Sequence, residues 1–269
     1  MYKWWLSGSN KIECPFESLE TIFYLKSIFQ SGMRTTSEET VLLIKSILLK
    51  RTSNIVLNIA TDEESKIFLK RIFENEMVVA YPRLTERCDN LKIPIVHHPG
   101  LWGMSKLFLD EIFPATKKTI YIDTDMILGS DPILLYNDFK NFDDETIFSL
   151  TRETNWKKGP THICSCIFLW DMEKSRNTHL LKKKGLIAAK TVYGYEKNNK
   201  YFTVKNRHGE LNSSWNLSNC RKFFGVKPRN KHNDRSGLFF GAIHFNCLGN
   251  NFTQFSGWEW IYLLNFSYI

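Results

Sequence analysis

Asp123 and Asp125 stand two residues apart, directly after Thr119-Ile120-Tyr121-Ile122 and before Met126-Ile127-Leu128. An apolar run entering Asp-x-Asp reads as a buried strand ending in a turn that carries two carboxylates. Side chains two apart on a strand share a face, so the spacing predicts that both carboxylates converge on one spot. Two hard oxygen ligands there suit Mg²⁺ or Mn²⁺, which fill their remaining positions with water and substrate phosphates. Such an ion neutralises a departing diphosphate. Asp-x-Asp by itself also occurs in ordinary acidic loops; the strand before it is what sharpens the reading.

Other residues able to do chemistry are fewer than composition suggests. His244 follows Gly241-Ala242-Ile243, and a histidine beside an apolar strand is by default a core or edge residue. Six cysteines show neither a CxxC pair nor zinc spacing, and Cys164-Ser165-Cys166 lies inside an apolar run, as core residues would. His97-His98 precede Pro99 in an expected loop, Asp143-Asp144 fall in a charged turn, and Trp215, Trp258 and Trp260 are read as core aromatics before sugar-stacking ones.

These residues need a scaffold. With 269 residues, 43% of them hydrophobic, the chain is long enough for one large domain, and no Pro/Gly/Ser-rich linker divides it. The expected organisation is an irregular segment over 1–20 and one domain over 21–269. A net charge of +8 suits anionic substrates such as nucleotide diphosphates. Basic runs such as Lys182-Lys183-Lys184 are short and scattered, so nucleic acid is not indicated. No apolar run reaches the ~18 residues of a membrane-spanning helix, and residues 1–9 lack a signal-peptide core. Four Asn-x-Ser/Thr sequons, at Asn212, Asn216, Asn251 and Asn265, lean toward the secretory pathway, with any anchor or leader absent from this chain.

The order of elements points to an α/β fold. Thr21 to Ser31 is apolar enough for a strand, with a helix as the alternative. Ser37-Glu38-Glu39 cap a helix through Leu49, Asn54 to Ala60 is a strand, and Glu63 to Glu74 is helical. Met77 to Ala80 is a short strand, and Met104 to Ile112 a helix stopping before Pro114. Thr146 to Leu150 and Ile163 to Trp170 are further strands, Leu180 to Val192 a helix, and Leu238 to Phe245 a late apolar run. Strand–helix alternation implies a mixed, mostly parallel sheet flanked by helices, with a Rossmann-like nucleotide-binding half. Ligands of such sheets sit at the carboxyl ends of strands. That marks Gly32, Arg34, Thr61, Asp62, Asp123, Asp125 and His244.

Several stretches, in order, resemble a known family. Ser37 to Glu64, Pro99-Gly100-Leu101-Trp102-Gly103-Met104-Ser105-Lys106-Leu107, Tyr121-Ile122-Asp123-Thr124-Asp125, Leu211 to Asn216 and Ile243-His244-Phe245-Asn246 are similar to segments of glycosyltransferase family 8. The xylosyltransferase half of the LARGE-type bifunctional enzymes is resembled most, glucoside xylosyltransferases nearly as much, from about Gln30 to Asn250. The resemblance implies a GT-A fold, a UDP-sugar donor, Mn²⁺ (or Mg²⁺), retaining transfer, UDP-xylose ahead of UDP-glucose or UDP-galactose, a glycan or glycoprotein acceptor, and the Golgi lumen. It implies metal ligation by Asp123, Asp125 and His244. It also implies donor contacts from Gly32, Arg34, Lys106, Asp123, Thr124, Asp125 and Asn246.

Two departures bear on activity. Cys164-Ser165-Cys166 replaces the family's Asn-Ser/Thr-Gly, whose Asn touches the donor sugar. The family's Asp-Gln-Asp has no clean counterpart, and Glu196 is its only stand-in as a catalytic residue. Two other classes therefore stand beside a transferase. One is a non-catalytic nucleotide- or glycan-binding chain of the same fold. The other is a haloacid-dehalogenase-like phosphotransferase, disfavoured because Met126-Ile127 follow the motif and because it lies mid-chain.

Overall fold

The central strand forms on an apolar run whose Ile120, Tyr121 and Ile122 are fully buried. They belong to β4 (Lys118–Asp123). The structure, a computed structural model, describes residues 19–24, 36–73, 78–80, 84–92, 104–152, 163–179, 208–218 and 241–244. Around β4 lie β1 (Leu19–Tyr24), β2 (Ile55–Thr61), β3 (Val78–Ala80), β6 (Phe148–Arg152), β7 (Ile163–Asp171) and β8 (His208–Leu211). Their order across the sheet is β3-β2-β1-β4-β7-β6-β8. β3, β2, β1 and β4 run parallel, whereas β4–β7 and β7–β6 are antiparallel and β6–β8 is parallel again. A second sheet has the order β5-β10-β9, from β5 (Met126–Leu128), β10 (Ala242–His244) and β9 (Leu217–Ser218).

Helix α1 (Thr36–Lys50) buries Thr40, Leu43, Ile44 and Ile47, the i, i+3, i+4, i+7 stripe of an amphipathic helix. That stripe joins Ile120, Ile122, Ile167 and Leu169 in one core cluster. Ser46 pins the helix to the second sheet: its hydroxyl donates to the Leu43 carbonyl (2.7 Å) and accepts from the Leu128 amide (3.0 Å). Helix α2 (Glu63–Phe73) starts with two acids and ends with Lys70 and Arg71, complementing the helix dipole at both ends. The other sheet face holds Tyr121, Phe148, Phe168 and Trp170, with Tyr121 and Phe168 stacked at 4.7 Å. Helices α3 (Leu84–Asn90), α4 (Leu109–Ile112), α5 (Pro132–Tyr136) and α6 (Met172–Thr178) are short.

Most expected elements are present, with changed edges. The first strand begins at Leu19, inside the segment expected to be irregular, and ends at Tyr24. The helix expected over Met104 to Ile112 is a 3₁₀ turn, Met104–Leu107, followed after Phe108 by α4. The second sheet was not anticipated. The helix expected over Leu180 to Val192 lies outside the described residues.

Candidate active site

Asp123 is the last residue of β4, at the point where strand order reverses between β1 and β4. Crevices at such switch points are where open α/β sheets bind ligands. Thr124 and Asp125 form a tight turn into β5, so Asp123 and Asp125 converge through that turn and not through strand alternation, which corrects the sequence-based reason. β5 then pairs antiparallel with β10, setting His244 opposite Met126. Ligand atoms of Asp123, Asp125 and His244 consequently lie within 4.8 Å of one another. Gly241, just before β10, makes this placement possible. A Cβ there would stand 2.4 Å from ring carbons of the buried Trp215, which places this tryptophan in the core as expected.

Asp123 is held by side chains. The Tyr121 hydroxyl donates to it at 2.5 Å, and the Lys106 ammonium lies 3.0 Å from Oδ1. Lys106 is nearly completely buried; its Nζ also donates to the Ser165 carbonyl at 2.8 Å and sits 4.6 Å from the Tyr121 ring centre. Ser165 lies in the part of β7 that the β6–β7 register skips, between Leu150↔Phe168 and Thr151↔Cys164, and beyond the last β4–β7 pair, Ile122↔Ile167. Bulged strands near sites redirect groups in this way. Burial pushes the Asp123 carboxyl above its ordinary range, against the pull of Lys106.

On the other side, His244 Nε2 lies 3.4 Å from Asp125 Oδ2, and Nδ1 lies 3.9 Å from Cys164 Sγ. Burial works against charge on both Asp125 and His244. Their mutual attraction outweighs it, holding the Asp125 carboxyl below and the His244 imidazolium well above their usual values. A hydrogen bond from Cys166 lowers the Cys164 thiol to about 6 against the cost of burial, while burial raises Cys166.

Two carboxylates and an imidazole are a donor set that fits a divalent cation. Ligands around one Mg²⁺-sized ion are at most about 4.2 Å apart, so a small closure of the three groups suffices. The carboxylates keep 26% and 22% side-chain exposure, which leaves a side open to solvent.

Not every residue marked in the sequence comes to this spot. Gly32, Arg34, Glu196 and Asn246 lie outside the described residues, as do His97-His98, Trp258 and Trp260. Thr124 is buried in the turn. Asp62 caps α2, accepting from the Ser65 amide at 2.8 Å and the Ser65 hydroxyl at 2.9 Å. Asp143 accepts from the Glu145 and Thr146 amides in an exposed turn, as expected of a solvated acid. The Asn216 sequon is buried, so it is closed to glycosylation in the folded chain, whereas Asn212 is exposed. Sequence reasoning missed Cys164 as a neighbour of His244; the CxC spacing at 164–166 was the available signal.

No protein-family model matches the sequence. The chain is 31% identical over 131 residues to mouse xylosyl- and glucuronyltransferase LARGE2, covering 46% of this chain and 19% of that protein. It is 28% identical over 163 residues to human LARGE1, covering 56% and 21%. The chain thus spans about a fifth of the length of these curated relatives. Its fold superposes on mouse xyloside xylosyltransferase 1 with a TM-score of 0.58 at 16% identity, covering 86% of this chain and 98% of that one. It superposes on the galactosyltransferase LgtC, bound to donor and acceptor sugar analogs, with a TM-score of 0.66 at 13% identity, covering 93% and 96%. The fold is the GT-A fold of these glycosyltransferases. Within that class, the sequence likeness runs to the LARGE xylosyl- and glucuronyltransferases.

Proposed function

We propose that the chain is a metal-dependent retaining glycosyltransferase that moves a sugar, xylose before glucose or galactose, from a UDP-sugar to a glycan on a glycoprotein. The observation that carries this reading is the meeting of Asp123, Asp125 and His244 at the end of β4. Mn²⁺ or Mg²⁺ held there would supply Lewis acidity toward the donor diphosphate. Lys106 stands at the same carboxylate and places a second positive charge where the diphosphate departs. Asp123 is engaged by Tyr121 and Lys106, and Asp125 by His244, and the reading uses both as metal ligands. The retaining route we favour is a same-face transfer: the bond from the anomeric carbon to the diphosphate breaks, the acceptor oxygen bonds to that carbon on the same face, and its proton passes to the departing phosphate. Donor contacts from Gly32, Arg34, Thr124 and Asn246, a role for Glu196, and residence in the Golgi lumen complete the proposal. Among the described residues, no helix is long and apolar enough to cross a membrane.

A second reading has its own support. Cys164, at the position of the family's donor-sugar Asn, faces His244 instead, which favours nucleotide binding without turnover. Calorimetric titration of UDP with and without Mn²⁺, beside Asp125→Ala, tests the shared core. The expected result is metal-dependent binding that disappears in the variant. Binding that ignores metal, or no binding, refutes the site. Donor-hydrolysis assays across UDP-sugars then separate turnover from binding alone.

A further inference from the structure

The hard-ligand set is not the only one at this end of the sheet. Ligand atoms of Cys164, Cys166 and His244 also lie within 4.8 Å of one another. Cys164 Sγ stands 3.3 Å from the Cys166 amide and 3.9 Å from His244 Nδ1. A tetrahedral ion bound to sulfur at ~2.3 Å and to imidazole at ~2.0 Å needs those two atoms about 3.6 Å apart. The observed gap is close to that. Cys166 is buried, Cys164 only partly, so the pair has one solvent-facing side. Thiolates and imidazole select Zn²⁺ and other sulfur-preferring ions, whereas carboxylates select Mg²⁺ and Mn²⁺.

His244 belongs to both sets, through opposite ring nitrogens. Nε2 faces Asp125 and Nδ1 faces Cys164. A neutral imidazole has one lone pair; the other nitrogen carries a proton. If Nδ1 binds a metal, Nε2 becomes a donor to Asp125 and is lost to the carboxylate site. If Nε2 binds a metal, Nδ1–H points at Cys164. We infer that Cys164, Cys166 and His244 Nδ1 form a second metal site, for Zn²⁺, that competes with the Asp123/Asp125 site for His244. The sulfur site stands on its own geometry; the competition rests on the carboxylate site proposed above.

The test uses the full chain, reduced, with Co²⁺ as a spectroscopic stand-in for Zn²⁺. Wild type is expected to show a thiolate-to-cobalt charge-transfer band that Zn²⁺ abolishes. The band is lost in Cys164→Ser and Cys166→Ser and retained in Asp123→Asn. Because Cys166 lies in the core, Cys166→Ala is run beside the serine variant, and circular dichroism shows that each is folded. No band in wild type, or a band indifferent to both cysteines, overturns the sulfur site. Free Mn²⁺, followed by its electron spin resonance, tests competition. One equivalent of Zn²⁺ is expected to weaken Mn²⁺ binding by about tenfold or more, since loss of even an outer partner of a metal ligand costs ~10–100-fold, and not to do so in the Cys164→Ser/Cys166→Ser double variant. Equal displacement in that variant places Zn²⁺ on the carboxylates and overturns competition. If Mn²⁺ fails to bind at all, the carboxylate reading and the competition fall while the cobalt band still judges the sulfur site.

Discussion

The ends of β2 and β4 are built alike and do different work. Both strands run parallel to β1, and Ala60 and Asp123 are both register partners of Tyr24. Each strand leads into an aspartate. Asp62, past β2, gives both carboxylate oxygens to Ser65 in the first turn of α2. Asp131 and Asp171 likewise cap α5 and α6. Asp123 is followed by a turn into β5, with no helix to cap, and its carboxylate is held by Tyr121 and Lys106. The acid at the end of β4 has no helix to cap and stands instead at the proposed cation site.

That contrast can be pressed from the larger effects to the smaller. Asp125→Ala should weaken metal-dependent UDP binding by at least about 100-fold, since even outer partners of a metal site are worth ~10–100-fold. The same calorimetry on Asp62→Ala should show wild-type affinity; a matching loss would erase the distinction between the two strand ends. Lys106→Met removes a buried cation from Asp123 and the Ser165 carbonyl. Urea unfolding should show a loss of about 3 kcal/mol, the low end for a broken buried pair because Asp123 keeps contact with water. No loss would mean the ion pair does not hold the β4 end. Gly241→Ala should cost about 1–3 kcal/mol through crowding against Trp215. Mn²⁺ affinity should fall with it, because the same residue sets the entry to His244; intact affinity would uncouple Trp215 packing from the site.

The cap itself is a smaller matter. Asp62→Ala should lower stability by about 1 kcal/mol, the usual worth of an N-cap side chain, seen as a reduced Tm. Smallest is the exposed turn acid. The Thr146 hydroxyl and amide hold the Asp143 carboxyl below its usual range. Its contribution to stability is therefore complete above the ordinary aspartate value and is lost as pH falls through the lower folded value. Asp143→Asn should lower stability slightly at neutral pH and flatten the acid limb, so that the two stability–pH profiles converge at low pH.

What the sequence discloses follows the same division. Elements whose signal is local are legible. The stripe at Thr40, Leu43, Ile44 and Ile47 fixes α1, the acids at 63–64 start α2, and the unbroken apolar runs mark β4 and β7. The site is legible only in its local half, the Asp-x-Asp. Its other half depends on β10, three residues long, pairing with another three-residue strand, β5. So short a strand carries no periodicity to read; the end of an apolar run marked His244 as one candidate among seven, and family resemblance gave it a ligand's role. The Lys106–Asp123 pair and the meeting of Cys164 with His244 join residues 17 and 80 positions apart, and such contacts are tertiary facts.

The pairing of β5 with β10 also sets an order of events in synthesis. The two aspartates are translated about 120 residues before His244, and joining segments that far apart carries a loop-closure cost that rises only slowly with length. The parallel half of the sheet and the Asp-x-Asp turn can therefore be in place on the ribosome while the third ligand is still unmade. The proposed cation site is incomplete in the nascent chain until β10 emerges, and an ion that bound all three groups would fasten the late segment to the early one.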